Sequence, residues 1–241
     1  MIHRAAAEGF SRSAAAYERG RPDYPEAARR HVVALVPAGG TVLDLAAGTG
    51  KLTRGLLAAG LEVVAVEPVT EMRAALPEAA RALEGTAEAI PLPAGAVDGV
   101  VVGQAFHWFD GDAALAEIHR VLRPEGLLAL LWNRRVEDDP ANRALEALIE
   151  AHRADVPSHR SGAWRAAFER TTLFGPLEET VFANEQRLDA EGLEARVGSI
   201  SFIASLPPAE RERVLSAARA LAKDGPVTLP YRTEVLTCRR R

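Results

Sequence analysis

Short apolar runs alternate with helical segments through the middle of this sequence, and this alternation constrains the fold more than any other feature. The apolar runs are rich in Val, Leu and Ala and end at Gly, Pro or acidic residues, which is typical of buried strands. The strand-like runs cover 41–46, 62–67, 83–86, 97–102 and 127–132. Helical segments between them cover 52–59, 70–83 and 110–122. This pattern predicts a doubly wound α/β fold, whose mostly parallel sheet is covered on both faces.

Helical segments flank this core at both ends. One helix is predicted from Tyr24 to about Leu35, with Pro25 suited to its first turn. After Asn133 the pattern predicts helices over 139–154, 163–172, 188–197 and 208–223, with strands over 177–183 and 227–237. This helical material exceeds the needs of one crossover, so part of it is expected to cap the sheet. We predict one domain over 1–241 with seven strands: N-terminal helices over 1–36, a core over 40–132, a helical cap with one strand over 133–223 and a final strand over 226–238.

Composition excludes several classes of protein. No run of about 18 apolar residues exists, so no membrane-spanning segment is expected, and the first five residues do not begin an apolar signal segment. The single cysteine, Cys238, excludes an intramolecular disulfide and a cysteine-cluster metal site. We therefore expect a cytoplasmic protein, either a monomer or a homodimer.

Charge and histidine spacing argue against nucleic-acid and metal partners. The formal net charge is −4, and the one long basic run is Arg239-Arg240-Arg241, so no nucleic-acid partner is expected. Only two of the 29 Lys and Arg residues are Lys, a bias that is typical of a GC-rich genome. The histidines His31, His119 and His152 stand alone without ligand spacing, so no metal is expected.

A glycine-rich turn follows the first strand, with the sequence Asp44-Leu45-Ala46-Ala47-Gly48-Thr49-Gly50-Lys51. Its glycines allow the backbone to approach a ligand, and the next helix points free N–H groups toward the same place. A phosphate P-loop does not fit because Leu52 follows Lys51, and a dinucleotide motif does not fit because Thr53 occupies the third glycine position. Ligands bind beyond the carboxyl ends of strands in open α/β sheets. Such a turn also occurs as a tight packing corner without a ligand.

An acidic residue, Glu67, ends the second strand 17 residues after Gly50. A carboxylate at this position can accept hydrogen bonds from both ribose hydroxyls, each contributing about 1.5–3 kcal/mol. The alternative is a solvated carboxylate at the strand end. A ribose acceptor without a phosphate cradle indicates a nucleoside ligand, and it argues against NAD and ATP.

Further segments follow these two in a characteristic order. They are Gly85-Thr86-Ala87-Glu88, Gln104-Ala105-Phe106-His107-Trp108-Phe109 and Arg120-Val121-Leu122-Arg123-Pro124-Glu125-Gly126. With the glycine-rich turn and Glu67 they cover about 40–132, and this set resembles the class I S-adenosylmethionine (SAM)-dependent methyltransferases. The opening Tyr17-Glu18-Arg19-Gly20-Arg21-Pro22-Asp23-Tyr24-Pro25 resembles their small-molecule branch, type 11. The resemblance implies a Rossmann-like fold, SAM as cofactor and S-adenosylhomocysteine (SAH) as product.

The resemblance also implies a role for each matching residue. Asp44 and the turn with Ala46, Gly48 and Gly50 are implied to hold the methionine portion of SAM, and Glu67 its ribose. The other implied cofactor contacts are Pro68 and Met72 beside the adenine, Ala87 and Glu88 at its edge, Gln104 and Ala105 at the sulfonium, and Arg21 at the carboxylate. The alternatives are that Met72 is an ordinary core residue and that Glu88 and Arg21 are ordinary surface charges. Ala46 stands where the family usually has Gly, and we expect a negative φ there, which Ala tolerates.

The cluster His107-Trp108-Phe109 is the predicted substrate pocket. Its aromatic side chains supply an apolar wall, and His107 is the candidate catalytic residue, either orienting an acceptor or removing its proton. The alternative is a loop whose aromatic rings close the core. Methyl transfer itself does not require a base, because the sulfonium of SAM is already an activated leaving group.

We predict an enzyme that transfers the methyl group of SAM in line to a small-molecule acceptor. The alternatives are a tRNA- or protein-modifying methyltransferase, a non-catalytic SAM-binding protein and, more remotely, an NAD oxidoreductase. Segments 132–135, 159–160, 164–165 and 199–202 are candidates for an acceptor pocket in the cap. If several of their arginines converge, an acceptor that carries a carboxylate is favoured.

Overall fold

The computed structural model describes residues 14–153 and 159–241, with side chains from residue 17 in the first of these ranges. The strands are β1 (Thr41–Leu45), β2 (Glu62–Val66), β3 (Arg81–Leu83), β4 (Val97–Gly103), β5 (Leu122–Arg135), β6 (Glu178–Leu188) and β7 (Val227–Arg239). The helices are α1 (Ala14–Gly20), α2 (Glu26–Ala34), α3 (Lys51–Ala58), α4 (Thr70–Arg73), α5 (Gly111–Val121), α6 (Pro140–Glu150), α7 (Ala166–Arg170), α8 (Ala190–Gly198), α9 (Ser201–Ala204) and α10 (Pro208–Ala220). Short 3-10 helices cover Phe106–Trp108, His159–Ser161 and Ala163–Arg165. In these ranges no helix is long and apolar enough to cross a membrane.

All of these strands belong to one seven-stranded sheet with the order β3-β2-β1-β4-β5-β7-β6. Neighbouring strands are parallel except at β7, which runs antiparallel to both β5 and β6. This arrangement confirms the predicted mostly parallel α/β sheet.

The centre of the sheet is buried on both faces, because successive side chains of a strand point to opposite sides. On one face, Leu43 of β1 packs in the same cluster as Ile118 of α5. On the other face, Val42 packs with Val32 of α2 and Leu56 of α3. Each of these five side chains is fully buried. Two-sided burial explains why the strand sequences are nearly continuous apolar runs.

The predicted helix over 70–83 is wrong. Helix α4 ends at Arg73, and Arg81–Leu83 form strand β3, which pairs with β2. Pro77 explains the difference, because proline lacks an N–H donor and disfavours a helical conformation in the residue before it. The short strand predicted at 83–86 is therefore placed too late in the chain.

Several other elements have different bounds from those predicted. Strand β5 starts at Leu122 rather than 127, where it pairs with β4, and β6 continues to Leu188 because it pairs with β7 throughout. The helix predicted from 188 begins at Ala190, after Asp189 caps it by accepting the Gly192 N–H. The segment 163–172 is a 3-10 turn followed by the short helix α7. Helix α6, predicted over 139–154, ends at Glu150. Residue 154 of that prediction and residues 1–13 lie outside the described residues.

Helices α6, α8 and α10 form a cap with its own apolar core beside the end of the sheet. Its fully buried members include Leu145, Ile149, Leu193, Val197 and Leu215. Helix α1 lies so close to α8 that a Cβ on Gly20 would stand 2.3 Å from the carbonyl oxygen of Ala195. This close contact places Arg21, the next residue, directly against the cap.

Candidate cofactor and acceptor site

Two adjoining cavities open at the carboxyl ends of β1, β2 and β4. Strands β1 and β4 are neighbours whose connections lead to opposite halves of the sheet, and this switch point is the usual ligand crevice of an open α/β sheet. The first, here the apolar cavity, is lined among others by Glu67, Pro68, Met72, Ala87, Ala105 and Phe109. The second, here the polar cavity, is lined among others by Arg21, Asp44, Ala47, Thr49, Lys51 and Arg196.

Glu67 holds a fixed orientation at the apolar cavity, although only 4% of its surface is exposed. Its Oε2 accepts the Gly48 N–H at 2.8 Å, and its Oε1 accepts the Val69 N–H at 2.9 Å. Burial raises the pKa of this carboxyl group, while the two N–H bonds act in the opposite direction. Each carboxylate oxygen keeps a second lone pair, so the group can still accept two hydroxyl donors.

The remaining wall of the apolar cavity is mainly non-polar. Its side chains come from the three chain segments that follow β2, β3 and β4: Pro68, Met72, Ala87, Ala105, Trp108 and Phe109. Glu88 also lines it, and its Oε1 accepts the backbone N–H of Asp110 at 3.1 Å, just before α5. A largely apolar cavity with a few polar groups suits an aromatic base attached to a ribose.

Asp44 is the buried acid of the polar cavity, with 1% of its surface exposed. Its Oδ2 accepts a hydrogen bond from Thr53 Oγ1 at 2.6 Å. Burial raises the pKa of Asp44 to about 7 against the opposing effect of this hydrogen bond. A cation bound beside Asp44 favours its charged form, so the cavity is suited to an ammonium group.

The backbone is strained where the two cavities meet. Ala46 has φ +58°, so the expectation of a negative φ is wrong. This conformation costs a residue other than glycine about 1–2 kcal/mol, which explains why the family usually has Gly there. Gln104 has φ +62°. Ala46 directly follows β1 and Gln104 directly follows the neighbouring strand β4, and each of them lines both cavities. Strained residues that cluster at a crevice are typical of a functional site.

Two guanidinium groups line the polar cavity next to the cap. Arg196 of α8 is 6% exposed, and its Nε donates to Tyr231 Oη at 3.1 Å. Its Nη1 is buried and has no hydrogen-bond partner among the described residues. Arg21 donates from Nη2 to the Ser199 carbonyl at 2.8 Å, while its buried Nε also lacks a partner in the described part of the chain. Burial, followed by repulsion from Arg196, lowers the pKa of Arg21 to about 10, so it stays charged at neutral pH.

A wider cleft, here the cap cleft, adjoins both cavities between the end of β5, α6 and α9. It consists of two cavities of about 510 and 650 Å³. They share the lining residues Gln104, Trp132, Glu146, Glu150, His159 and Arg160. Gln104 also lines the apolar and polar cavities, so it lies at the junction of all three spaces.

His107 lies in the 3-10 helix after β4 and lines the cap cleft. Trp132 Nε1 donates to His107 Nδ1 at 3.5 Å, which assigns the proton of the neutral ring to Nε2. Burial, with repulsion from His159 and Arg21, lowers the pKa of His107 to about 3. The ring is therefore neutral near pH 7 and can offer an N–H donor to a bound molecule.

The structure brings most of the predicted cofactor residues together. Those that line the apolar cavity are Ala46, Gly48, Glu67, Pro68, Met72, Ala87, Glu88, Gln104 and Ala105. Arg21 and Asp44 line the polar cavity. Gly50 lies outside both, because its Cα faces Pro77, whose Cδ would stand 2.9 Å from an added Cβ. Among the predicted substrate residues, His107 lines the cap cleft, Phe109 lines the apolar cavity and Trp108 lines both.

Two residues of the site were missed in the sequence. Gly103 is needed because Tyr24 Oη would stand 2.4 Å from a Cβ at that position. Arg196 was missed because it reads as one surface arginine among many. One available signal was that Arg196 is the only charged residue within 195–203, since a buried arginine is costly unless something pairs with it.

Known proteins resemble this chain over nearly its whole length. Residues 43–130 match a family described as a methyltransferase domain. An uncharacterized methyltransferase of Mycobacterium tuberculosis is 40% identical over 242 residues, which cover 93% of this chain and 92% of that protein. An uncharacterized methyltransferase-like protein of Schizosaccharomyces pombe is 35% identical over 223 residues, covering 90% and 87% of the two chains.

Solved structures share the fold. A type II methyltransferase of Anaeromyxobacter dehalogenans superposes with a TM-score of 0.66 at 24% identity, covering 91% of this chain and 96% of that one. A methyltransferase from an antibiotic biosynthesis pathway of Anabaena variabilis gives a TM-score of 0.61 at 23% identity, covering 86% and 95%. The chain therefore belongs to the class I SAM-dependent methyltransferases, because its relatives, its fold and the crevice at its switch point all agree with that family.

Proposed function

We propose that this methyltransferase binds the nucleoside of SAM in the apolar cavity and its methionine portion in the polar cavity, and that it methylates a small molecule in the cap cleft. The observation that carries the proposal is the position of Gln104, which lines all of these spaces. A methyl group held at this junction would lie next to the cleft, where the proposal places the acceptor.

The residues present fit SAM. Glu67 offers carboxylate oxygens to the ribose hydroxyls, and the apolar wall accommodates the adenine. Asp44 offers a negative charge to the methionine ammonium, while Arg21 carries a buried N–H without a partner among the described residues, as a carboxylate ligand requires. The two opposite charges that line the polar cavity thus match the two charges of an amino-acid group.

Positioning and exclusion of water account for the chemistry. SAM supplies a methyl group on a positively charged sulfur that leaves without protonation. The chain holds the cofactor through Glu67, Asp44 and Arg21 and holds the acceptor in the cap cleft, so that the reacting atoms meet in line. The apolar rings of Trp108 and Trp132 keep the junction poor in water.

His107 orients the acceptor in this proposal and does not act as a base. Its neutral ring presents Nε2–H, which donates to a lone pair of the acceptor. A pKa of about 3 makes the ring a poor proton acceptor at neutral pH. A base is needed only if the acceptor must lose a proton at its own high pKa.

A transfer assay tests the proposal. The protein is incubated with tritium-labelled SAM and a cell extract that has been separated into small molecules, RNA and protein. We expect label in a small-molecule product other than SAM, and at least about tenfold less of it with a Glu67→Gln variant at limiting SAM. Label in RNA or protein alone contradicts the small-molecule assignment, and SAH binding without any transfer favours a non-catalytic SAM-binding protein.

A further inference from the structure

The cap cleft carries an excess of positive charge. Seven arginines and three glutamates line it. Glu146 alone serves three of these arginines: it pairs with Arg135, with Arg153 at 2.6 Å and with Arg160 at 3.0 Å. The acids of the cleft are thus already paired with arginines at the end of β5, just after α6 and in the following 3-10 helix.

Arg196 is left without a counter-charge. Among the described residues no carboxylate lies within ion-pair distance of it, and its nearest charged neighbours include Arg21 and Arg135. Its Nη1 is buried without a partner, and its Nε is held by Tyr231. A buried charge without a partner is strongly unfavourable, so this guanidinium is built to receive an anion.

The cofactor does not remove this excess. Its carboxylate and ammonium cancel, and its sulfonium adds one positive charge, so bound SAM leaves the site more positive than before. The methionine carboxylate also has a partner already, since Arg21 offers its unpaired Nε at the polar cavity. Arg196 lines the cap cleft as well as the polar cavity, so an anion in the cleft can reach it.

We propose that the methyl acceptor carries a carboxylate group that lies in the cap cleft and accepts hydrogen bonds from Arg196. This inference rests on the proposed function and adds the class of acceptor. A planar carboxylate suits the forked donors of a guanidinium, with Nη1 free and Nε fixed by Tyr231.

Binding of simple anions tests this inference without any turnover. Protein saturated with SAH is titrated by calorimetry with acetate, succinate and inorganic phosphate, and with acetamide and succinamide as neutral analogues. Ionic strength is held constant with chloride. We expect saturable carboxylate binding with a Kd of about 1–20 mM, weaker binding of phosphate and none of the amides.

Variants assign the anion to Arg196. Arg196→Met is expected to weaken carboxylate binding at least about tenfold and SAH binding less than about threefold, and Arg196→Lys is expected to lie between it and the wild type. Arg170→Met is the matched control, because Arg170 pairs with Asp112 on the surface. SAH binding by Arg196→Met shows that this variant is folded. If Arg196→Met does not fold, the comparison is made with Arg196→Lys.

Three results overturn the inference. The first is that the SAH complex shows no saturable binding of carboxylates. The second is that the Arg196 variant that binds SAH binds carboxylates as tightly as the wild type does. The third is that an Arg196 variant loses more affinity for SAH than for carboxylates. Tighter binding of phosphate than of carboxylate overturns the choice of anion. A wild-type protein that fails to bind SAH contradicts the proposed function instead, so the two failures are distinguishable.

Discussion

Replacing Glu67 by Gln changes one atom of a buried group and tests the ribose assignment. The carboxylate accepts N–H groups from Gly48 at 2.8 Å and from Val69 at 2.9 Å, one on each oxygen. An amide keeps one acceptor oxygen and places an NH2 group against the other backbone N–H. Whichever way it is turned, one donor faces another donor, and one acceptor of the ribose is lost.

The size of the effect follows from these contacts. A hydrogen bond to a charged group contributes about 1.5–3 kcal/mol, so its loss corresponds to about 10- to 150-fold weaker SAH binding. The unpaired backbone N–H lowers the free energy of unfolding by about 1–3 kcal/mol, partly offset because a neutral amide is cheaper to bury than a carboxylate.

Calorimetric titration with SAH measures the change, and thermal unfolding shows that the variant is folded. Glu62→Gln is the matched control. Glu62 lies at the exposed start of β2, the strand that Glu67 follows, and among the described residues its carboxylate accepts only the Thr41 hydroxyl, at 3.2 Å. It should bind SAH as the wild type does. Folded Glu67→Gln protein that binds SAH within about twofold of the wild type refutes the ribose contact.

Three further predictions concern charge and backbone at the same site. Because Asp44 has a pKa of about 7 and the ammonium of SAH binds its charged form, SAH affinity should rise with pH toward a plateau above 7, and calorimetry on Asp44→Asn should show no such rise. Ala46→Gly removes a positive-φ alanine, so chemical denaturation should show unchanged or increased stability, whereas Ala116→Gly in the middle of α5 should cost about 0.5–1 kcal/mol. The kcat profile should show no titration of His107 between pH 5 and 8, and His107→Gln should keep activity within about tenfold, whereas a general base contributes about 10²–10⁴-fold.

The sequence predicted the sheet well where two-sided burial leaves a clear pattern. Runs such as 41–46 and 97–102 are apolar because both faces of β1 and β4 are covered, and no other structure explains them as simply. The errors fall where the pattern is weak. Strand β3 has only three residues, none of them buried, so its position depends on Pro77 and on pairing with β2 rather than on hydrophobicity.

The cofactor side of the site was predictable for a related reason. Its residues follow consecutive strands at short spacing, and the carboxyl ends of parallel strands meet at one edge. The cap side was not predictable, because Arg196 on α8 reaches the site through packing of α1 against α8, far along the chain. The positive φ of Ala46 was not predicted either, because the identity of one amino acid does not determine its backbone conformation.

A crystal structure of the SAH complex tests the placement of the cofactor most directly. We predict that the ribose hydroxyls lie within hydrogen-bond distance of Glu67 and that the sulfur lies beside Gln104, facing the cap cleft. A sulfur that points away from the cleft, or a nucleoside bound outside the apolar cavity, contradicts the proposed placement of the cofactor.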